Sequence, residues 1–383
     1  MTAHIIYYNY LTPDGKAMSI GGIQTYITNL IPVISELGYK ISIYQRSDHD
    51  FRIQKDGVDI HGITYTKETW GSAVARHLVN NALPYIDASK DILIYGCETC
   101  ITRRVSCPTI AIQHGIFWDV EDKEPMSRLE YLKKTFRRLQ TSWNTVQRVT
   151  KADTLVCVDH NFVNWHRAVC INTGIRHFVV PNFSHIPDTC PTKAEGGPLR
   201  IIFARRFFIH RGTRIFTNAI SRILEEYPHI DITIAGDGPD APYIHEHLDS
   251  HSNVHFIRFA CNESLQIHKD KDIAIIPTIG SEGTSLSLLE AMASGCAVVC
   301  TNVGGMTNIV LDHYNGLMIN PDEESLYQAI KLLIEDPILK TSLQKHAYET
   351  AKASFSLEMW KERWRHILKK VKKRKTITYT PKR

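Results

Sequence analysis

Short apolar runs alternate with segments of helical spacing along most of the chain. Runs of this length, bounded by Gly, Pro or polar residues, predict buried strands, and the stretches between them are long enough for helices. The predicted strands are residues 4–9, 40–44, 91–95, 109–113, 154–158 and 177–180 in the first half, and 199–204, 232–235, 254–257, 273–276 and 297–300 in the second. This repeated β/α alternation favours an α/β protein with two domains built on parallel sheets.

The best candidate for a linker is residues 181–198, which contain four prolines and two adjacent glycines with little periodicity. We therefore expect an N-terminal domain of residues 1–185, a C-terminal domain of residues 186–353, and a closing helix with a basic tail in residues 354–383. The apolar stripe of that last segment consists of Trp360, Trp364, Ile367, Leu368 and Val371. The stripe favours a helix docked on the protein, and insertion into a membrane remains the alternative.

The composition is that of a globular protein, with 43% hydrophobic and 22% charged residues. No apolar run approaches the roughly 20 residues that a membrane-spanning helix needs. Met1 is followed by a strand pattern and not by the basic region of a signal peptide. Nine cysteines are an odd number, so reduced thiols and a cytoplasmic location are expected. Cys97 and Cys100 form a lone C-x-x-C pattern, which is weak evidence for zinc or redox chemistry.

Positive charge is concentrated near the C-terminus. The formal net charge is +5, yet residues 361–383 hold eleven Lys or Arg and only one Glu. The rest of the chain is therefore net negative, and no nucleic-acid partner is expected. We expect the tail, through residues 369–375, to draw the protein to an anionic membrane surface.

Candidate chemistry is densest in residues 277–305, which read as strand, loop, helix and strand. Glu282 lies in the loop before the helix, where the amides of Gly283, Thr284, Ser285 and Leu286 are candidates to bind an anion. Glu290 lies inside the helix, and its carboxylate suits the two donors of vicinal ribose hydroxyls. The alternative for Glu290 is a surface position on an ordinary amphipathic helix.

Other candidates follow predicted strands. Gly21 and Gly22 stand between the first strand and the first helix, where backbone can approach a phosphate, although a tight turn explains them equally well. His114 follows a strand at the sheet edge where ligands bind, and a loop hydrogen bond is its alternative role. Arg206 and Arg211 flank a helix start and suit a diphosphate, or they belong to a solvated basic loop.

Together these segments resemble family 4 of the retaining glycosyltransferases over nearly the whole chain. Glu282 and Glu290 are eight positions apart, as in the two-glutamate signature of that family. Residues 204–212 resemble its phosphate-binding segment, here with Arg206 and Arg211. Further landmarks are residues 180–182, 234–239 and 315–317, the pair Gly21-Gly22, and His114.

The chain departs from the family pattern at several positions. Arg205 stands where the family usually has Gly, and Arg211 replaces the usual Lys. Phe183 replaces a usual Gly, and Thr307-Asn308 replaces a common Pro-Glu. The substitutions keep the positive charge of the phosphate-binding segment, so the resemblance still implies an active enzyme.

The resemblance implies the GT-B fold, in which two Rossmann-like domains face each other across a cleft and a C-terminal helix returns to the N-terminal domain. It implies transfer of a sugar, with retention, from a nucleotide diphosphate sugar to a hydroxyl acceptor. His114, Arg206, Arg211 and Glu282 would be catalytic. Gly21, Gly22, Gly283, Thr284, Ser285, Leu286 and Glu290 would bind the donor.

No metal or other cofactor is expected beyond the donor substrate. The patterns Asp48-His49-Asp50 and Asp270-Lys271-Asp272 lie outside the motifs above and are interpreted as chance. The family suggests a glycan or lipid-linked glycan acceptor in bacterial surface polysaccharide or lipopolysaccharide synthesis. Residues 118–148, rich in charged and aromatic side chains, would be a variable region on the acceptor side. Two alternatives remain open, a sugar-nucleotide epimerase of similar fold and a non-catalytic donor-binding partner subunit.

Overall fold

The computed structural model describes residues 1–19, 21–65, 71–120, 126–170, 174–193, 196–260, 263–280 and 282–371. The chain divides into two compact units. Unit 1 comprises Met1–His114, Pro125–Val180 and Lys361–Arg383, and unit 2 comprises Gly115–Glu124 and Pro181–Trp360. The chain passes between the units at 114/115, 124/125, 180/181 and 360/361. The boundaries expected from the sequence were 185/186 and 353/354, and the short segment 115–124 was not expected to belong to the second unit.

Unit 1 is built on an eight-stranded sheet. Its strands are β1 (Thr2–Ile6), β2 (Lys40–Ser47), β3 (Phe51–Lys55), β4 (Val58–Thr64), β5 (Ile92–Tyr95), β6 (Thr109–Gln113), β7 (Thr154–Cys157) and β8 (Arg176–Val179). The strand order is β3-β4-β2-β1-β5-β6-β7-β8, and only the β3–β4 pair among these strands is antiparallel. The helices are α1 (Gly22–Glu36), α2 (Ser72–Ala82), α3 (Arg128–Val149) and α4 (His160–Val169).

The β3–β4 hairpin was not predicted from the sequence. Its turn is Asp56-Gly57, where both residues have positive φ angles of 50° and 77°. An Asp-Gly pair is the preferred sequence of a two-residue hairpin turn because both central residues need positive φ. This dipeptide was the signal that would have identified the hairpin.

Unit 2 is built on a six-stranded, all-parallel sheet. Its strands are β9 (Arg200–Ala204), β10 (Asp231–Ala235), β11 (Val254–Ile257), β12 (Ile273–Ile276), β13 (Ala297–Thr301) and β14 (Leu317–Ile319), in the order β11-β10-β9-β12-β13-β14. The helices are α5 (Thr213–Glu226), α6 (Ala241–Leu248), α7 (Ser264–His268), α8 (Leu286–Ala293), α9 (Glu323–Glu335) and α10 (Pro337–Ser354).

The two faces of this sheet bury separate hydrophobic clusters. Along β9, Phe203 belongs to the cluster that contains Phe216 of α5, and Ile202 belongs to the cluster that contains Met292 of α8. This follows from the alternation of side chains along a strand. The core of unit 2 therefore lies on both faces of its sheet. The loops that carry the sequence motifs follow the carboxyl ends of the strands.

The closing helix α11 (Leu357–Lys369) begins in unit 2 and ends in unit 1. Its apolar stripe is buried: Trp360, Trp364, Ile367 and Leu368 are all at most 4% exposed. In unit 1, the indole nitrogen of Trp364 donates a hydrogen bond to the hydroxyl of Tyr26 at 2.9 Å. The prediction of a docked helix is confirmed for this segment. The basic residues from 372 onward lie outside the described residues.

Candidate active site

In unit 2 the candidate residues lie on loops that follow two adjacent strands. Strand β9 pairs in parallel with β12, so the carboxyl ends of both strands lie at the same edge of the sheet. The loop after β9 carries Arg205, Arg206 and Arg211, and the loop after β12 carries Glu282. This is the edge where open α/β sheets bind ligands.

Glu282 is the centre of a buried polar cluster. Arg205 donates from Nη2 to Oε2 of Glu282 at 2.7 Å and from Nη1 to Oγ1 of Thr278 at 2.8 Å. The guanidinium of Arg211 donates to the same carboxylate oxygen. Arg205 and Glu282 are buried, and Arg211 is partly exposed. The structure thus brings together two of the predicted residues, Glu282 and Arg211, with one that was not predicted, Arg205.

The electrostatics of the cluster keep the Glu282 carboxylate ionised. Burial by itself would raise the pKa of Glu282, but the charges of Arg205 and Arg211 outweigh burial, and the pKa is lowered. Burial lowers the pKa of Arg205, with the charge of Glu282 acting in the opposite direction. Two guanidinium groups face one carboxylate, so the cluster carries a net positive charge that suits an anionic ligand.

Arg206 does not join this cluster in the described structure. Its side chain is exposed, and its guanidinium carbon lies 5.7 Å from the ring centroid of Phe208. Both arginines follow the end of β9 at Ala204, and their side chains enter different surroundings, Arg205 at Glu282 and Arg206 at Phe208. The predicted action of Arg206 on a diphosphate stays a prediction.

Glycines in the next loop hold the Glu282 segment in place. The amide of Gly305 donates to the carbonyl oxygen of Glu282 at 3.0 Å. A Cβ atom at Gly304, which has a φ of 54°, would overlap that carbonyl, and one at Gly305 would overlap the backbone of Gly283. Only glycine permits this close approach.

Thr284 is held by Asn182. The amide nitrogen of Asn182 donates to Oγ1 of Thr284 at 2.8 Å, and its side-chain Nδ2 donates to the carbonyl of Thr284 at 2.6 Å. This pair of bonds joins the segment after β8 to the loop before α8. Asn182 was noted only as part of a family landmark, and the structure assigns it a positioning contact.

The first turn of α8 remains open to an anion. Ser285 is buried at the N-cap position but forms no side-chain capping bond within the described part of the chain, and the first turn, which starts at Leu286, has no acidic residue. Ser285 instead lies 3.3 Å from the hydroxyl of Ser287. Because the first amides of a helix lack partners inside the helix and carry partial positive charge, this end favours a negatively charged group.

Glu290 projects from α8 toward α7. The hydroxyl of Ser264 donates to Oε2 of Glu290 at 2.5 Å. Among the described residues this is the only hydrogen bond that Glu290 receives through its carboxylate. Burial raises the pKa of Glu290, and the Ser264 bond acts in the opposite direction. A partly buried carboxylate with spare acceptor capacity fits the predicted ribose contact, which stays a prediction.

In unit 1, Gly21 is the N-cap residue of α1 and Gly22 is its first residue. A Cβ at Gly21 would lie 2.5 Å from the side-chain oxygen of Gln24. Within the described residues Gly21 supplies no capping side chain, and the first turn of α1 contains no acidic residue. The glycine pair therefore lies at the helix N-terminus where the sequence placed it, and its contact with phosphate stays a prediction.

His114 follows β6 in the same unit. Its Nε2 lies 2.8 Å from the carbonyl oxygen of Gly96, and its ring meets the ring of Tyr26 edge-on, with centroids 5.2 Å apart. Burial lowers the pKa of His114 to about 4, although the Gly96 bond opposes that shift. The imidazole is thus neutral near pH 7. Because a carbonyl only accepts, Nε2 carries the proton, and Nδ1 is left as an acceptor.

The surroundings of the candidate metal and thiol residues are defined in the described part of the chain. No three His, Cys, Asp or Glu side chains among the described residues are grouped so that they could hold a metal ion. The described cysteines are free thiols, and Sγ of Cys97 lies 3.3 Å from Sγ of Cys100 without a disulfide. Asp272 instead accepts a hydrogen bond from the backbone amide of Arg200 at 2.9 Å.

Arg205, Asn182 and Ser264 were missed as site residues. Arg205 had a signal, since an arginine stood where the resembling family has glycine. Asn182 stood in a recognised landmark without a role. Ser264 had no signal, because only the packing of α7 against α8 places it beside Glu290.

Comparison with known proteins agrees with this arrangement. Residues 198–336 match the family model described as Glycosyl transferases group 1. An uncharacterized glycosyltransferase of Methanocaldococcus jannaschii is 24% identical over 376 residues, covering 92% of this chain and 93% of that protein.

Two solved structures show the fold. Sucrose-phosphate synthase from Thermosynechococcus elongatus aligns with a TM-score of 0.74 at 15% identity, over 96% of this chain and 98% of that one. The HepE protein of Anabaena, in complex with UDP-glucose, aligns with a TM-score of 0.68 at 14% identity, over 97% and 100% of the two chains. The chain therefore has the GT-B fold. With its group 1 segment in unit 2, the protein is a glycosyltransferase of this fold.

Proposed function

We propose that this glycosyltransferase moves a sugar from a nucleotide diphosphate sugar to a hydroxyl group of a glycan or lipid-linked glycan, with retention of anomeric configuration. The observation that supports this most strongly is the cluster of Arg205, Arg211 and Glu282 beside the open first turn of α8. The HepE protein, which is similar in fold, was solved in complex with UDP-glucose. The proposed setting is bacterial surface polysaccharide or lipopolysaccharide synthesis.

The leaving diphosphate gains negative charge as the glycosidic bond to the donor breaks. Fixed positive groups stabilise that charge more in the transition state than in the ground state, and this difference accelerates the reaction. Arg211 is partly exposed, and the amides of Gly283, Thr284, Ser285 and Leu286 lie at or beside the start of α8. We assign these groups to the diphosphate, and Arg206 is proposed to add to them.

Glu282 is proposed to hold hydroxyls of the donor sugar. Its Oε2 accepts from both Arg205 and Arg211, so its orientation is set before any ligand binds. A carboxylate has capacity for about four hydrogen bonds, which leaves acceptor sites for sugar hydroxyls. Preorganisation of this kind lowers the cost of fixing the group during binding.

His114 is proposed to act on the donor sugar through Nδ1. With Nε2 committed to Gly96 and the ring neutral, Nδ1 accepts a hydrogen bond from a hydroxyl. A protonated ring would lose this acceptor. The ring of Tyr26 packs against the ring of His114, and the hydroxyl of Tyr26 accepts a hydrogen bond from Trp364. These contacts would keep the imidazole in place within unit 1.

Neither a metal nor another cofactor is proposed. In metal-dependent transferases a divalent ion neutralises the leaving phosphate; here the guanidinium of Arg211 and the helix terminus would do so. Activity of the purified protein after exhaustive chelation is expected to persist. Loss of activity that magnesium or manganese restores would contradict this proposal.

The donor is identified first by a thermal-shift screen against a panel of sugar nucleotides, because a bound donor stabilises the folded state. The stabilising donor is then used in a turnover assay with the chain alone. Release of nucleotide that depends on an acceptor is expected, and it would exclude an epimerase. Failure of the chain to turn over alone would favour a partner subunit. Proton NMR of the product anomer tests retention, since an inverted product would contradict it.

The basic residues 369–375 are proposed to draw the protein to an anionic membrane, at the inner face of the cytoplasmic membrane where a lipid-linked acceptor would lie. The described residues contain no helix long and apolar enough to cross a membrane. Co-sedimentation with anionic vesicles tests this proposal. Equal pelleting of a variant with these basic residues replaced by Gln would contradict it.

A further inference from the structure

Helix α3 has an unusual environment for a helix in a globular unit. Every residue from 127 to 140 is exposed, so this part of the helix does not pack into a core. Its C-terminal end is anchored by the buried side chains of Thr145, Val146 and Val149. The exposed part is nevertheless a well-formed helix with a capping box. Ser127 accepts from the amide of Glu130 at 3.3 Å, and Glu130 accepts from the amide of Ser127 at 2.9 Å.

The exposed surface of α3 carries a continuous apolar stripe. Its members recur at intervals of three and four residues, which places them on one face of a helix: Leu129, Leu132, Phe136, Leu139 and Trp143. Each of them is between 60% and 67% exposed. An amphipathic helix normally turns such a stripe toward the core, and a contiguous exposed apolar patch marks an interaction surface.

Basic residues occupy the other faces of this helix. Lys133, Lys134, Arg137 and Arg138 are all exposed on α3. The whole helix contains six Arg or Lys residues and a single acidic residue, Glu130. Large apolar side chains on one face, with lysines and arginines on the rest, are the composition of a helix that lies in the interface of a lipid bilayer.

The charge distribution argues against a second copy of the chain as the occupant of this surface. Pairing two apolar stripes would bring two strongly cationic helices close together, and their net positive charges would repel each other. An anionic surface replaces that repulsion with attraction, because its headgroups carry the opposite charge while the apolar side chains enter the acyl boundary. Tyr131 and Trp143 also suit the headgroup level, where aromatic rings with a polar atom are enriched.

We propose that α3 docks the protein on the surface of an anionic lipid bilayer, with Leu132, Phe136 and Leu139 inserted and the basic side chains of the helix attracting the anionic headgroups. This site is separate in sequence from the basic tail. It requires neither a particular donor nor catalytic activity, so failure of the proposed reaction would leave it standing. It also gives α3, which lies within the segment expected on the acceptor side, a contact with the phase that holds lipid-linked molecules.

The test uses the full-length protein and vesicles of phosphatidylcholine, with or without phosphatidylglycerol. A triple variant, Leu132→Gln, Phe136→Gln and Leu139→Gln, removes the stripe while keeping good helix formers. Because the replaced side chains are exposed, the fold should be unaffected, and circular dichroism checks this. We expect the parent protein to pellet with the anionic vesicles and the triple variant to partition at least about 10-fold more weakly.

Two further variants separate the causes of binding. Leu311→Gln with Ile338→Gln is the matched control, since both residues are exposed apolar positions in unit 2, and it should pellet like the parent. Replacing Lys133, Lys134, Arg137 and Arg138 with Gln should weaken binding to anionic vesicles by about 100-fold or more. Equal pelleting of the parent and the triple variant would overturn the proposal. It would also be overturned if vesicle binding were lost only when the basic residues of 369–375 are replaced with Gln.

A probe of depth completes the test. Trp143 lies on the stripe, so brominated lipids should quench a fraction of the fluorescence that the Trp143→Phe variant lacks. Quenching that is identical in the two proteins would show that α3 stays outside the bilayer and would overturn the proposal. A dimer in sedimentation velocity that the triple variant abolishes, without vesicle binding by the parent, would assign the stripe to a second copy and would also overturn it.

Discussion

The guanidinium of Arg205 lies 2.7 Å from Oε2 of Glu282, and both side chains are buried. Arg205 also donates a hydrogen bond to Oγ1 of Thr278, at 2.8 Å. Its guanidinium is therefore held inside the protein, whereas the partly exposed Arg211 donates to the same oxygen of Glu282. Arg205 acts as a positioning residue for Glu282, and its place in this family-like segment has a structural reason.

We predict that Arg205→Met destabilises the protein by about 2 kcal/mol or more, because it removes a charged hydrogen bond from a buried carboxylate. Urea unfolding measures the loss of free energy of unfolding. The double variant with Glu282→Gln should lose less than the sum of the two single variants, by roughly 0.5–3 kcal/mol. Additive losses would mean that the two residues do not depend on each other.

Arg211→Ala is expected to lower turnover by about 100-fold or more, the effect of removing one stabilising donor from a transition state. Arg206→Ala serves as the comparison, since its side chain is exposed over Phe208. A similar loss in Arg206→Ala would support the predicted diphosphate contact for both arginines. Parent-like rates in both variants would place the diphosphate elsewhere. Both proteins should be assayed at saturating donor so that the rate reports chemistry and not occupancy.

Glu290→Gln is expected to weaken donor binding by about 1.5–3 kcal/mol, because a neutral amide replaces a carboxylate that accepts from ribose hydroxyls. Isothermal calorimetry with the donor found in the screen measures this change. Ser264→Ala is the matched control, since it removes the 2.5 Å bond to Glu290 but leaves the charge. Unchanged affinity in Glu290→Gln would show that Glu290 is only a helix-face residue.

Stability is expected to fall as the pH is lowered through the range set by His268. Burial lowers its pKa from 6.5 to about 4, so the unfolded chain binds a proton below pH 6.5 while the folded chain does so only near pH 4. Stability is thus highest above pH 6.5 and is lost as the pH falls toward 4, by on the order of 3 kcal/mol for this one group.

The variant His268→Gln cannot titrate, so the loss of stability between pH 7 and pH 5 should shrink in urea unfolding. His229→Gln is the control, because His229 is exposed. The parent and His229→Gln should share one pH profile. The same profile in His268→Gln would show that His268 contributes nothing to the acid sensitivity.

Much of the architecture followed from local sequence. The helix predicted within residues 277–305 is α8, Leu286–Ala293, and the predicted β9 and β12 differ from the structure by at most one residue at their ends. The reason is physical: short apolar runs have no stable place except inside a parallel sheet, and helix formers between them must cover its faces. The same reasoning placed Glu282 and Arg211 at a ligand-binding edge, because parallel strands present their carboxyl ends together.

Tertiary structure decided which neighbours meet. Arg205 and Arg206 are adjacent in the sequence, but only the position of the sheet determines which of them faces Glu282. The partnership of Ser264 with Glu290 depends on α7 packing against α8, which no local pattern encodes. The charged and aromatic composition of this region was visible in the sequence, yet the exposure of residues 127–140 was not. Whether an apolar stripe is buried depends on what other parts of the chain cover it, and in α3 the fold leaves that stripe exposed.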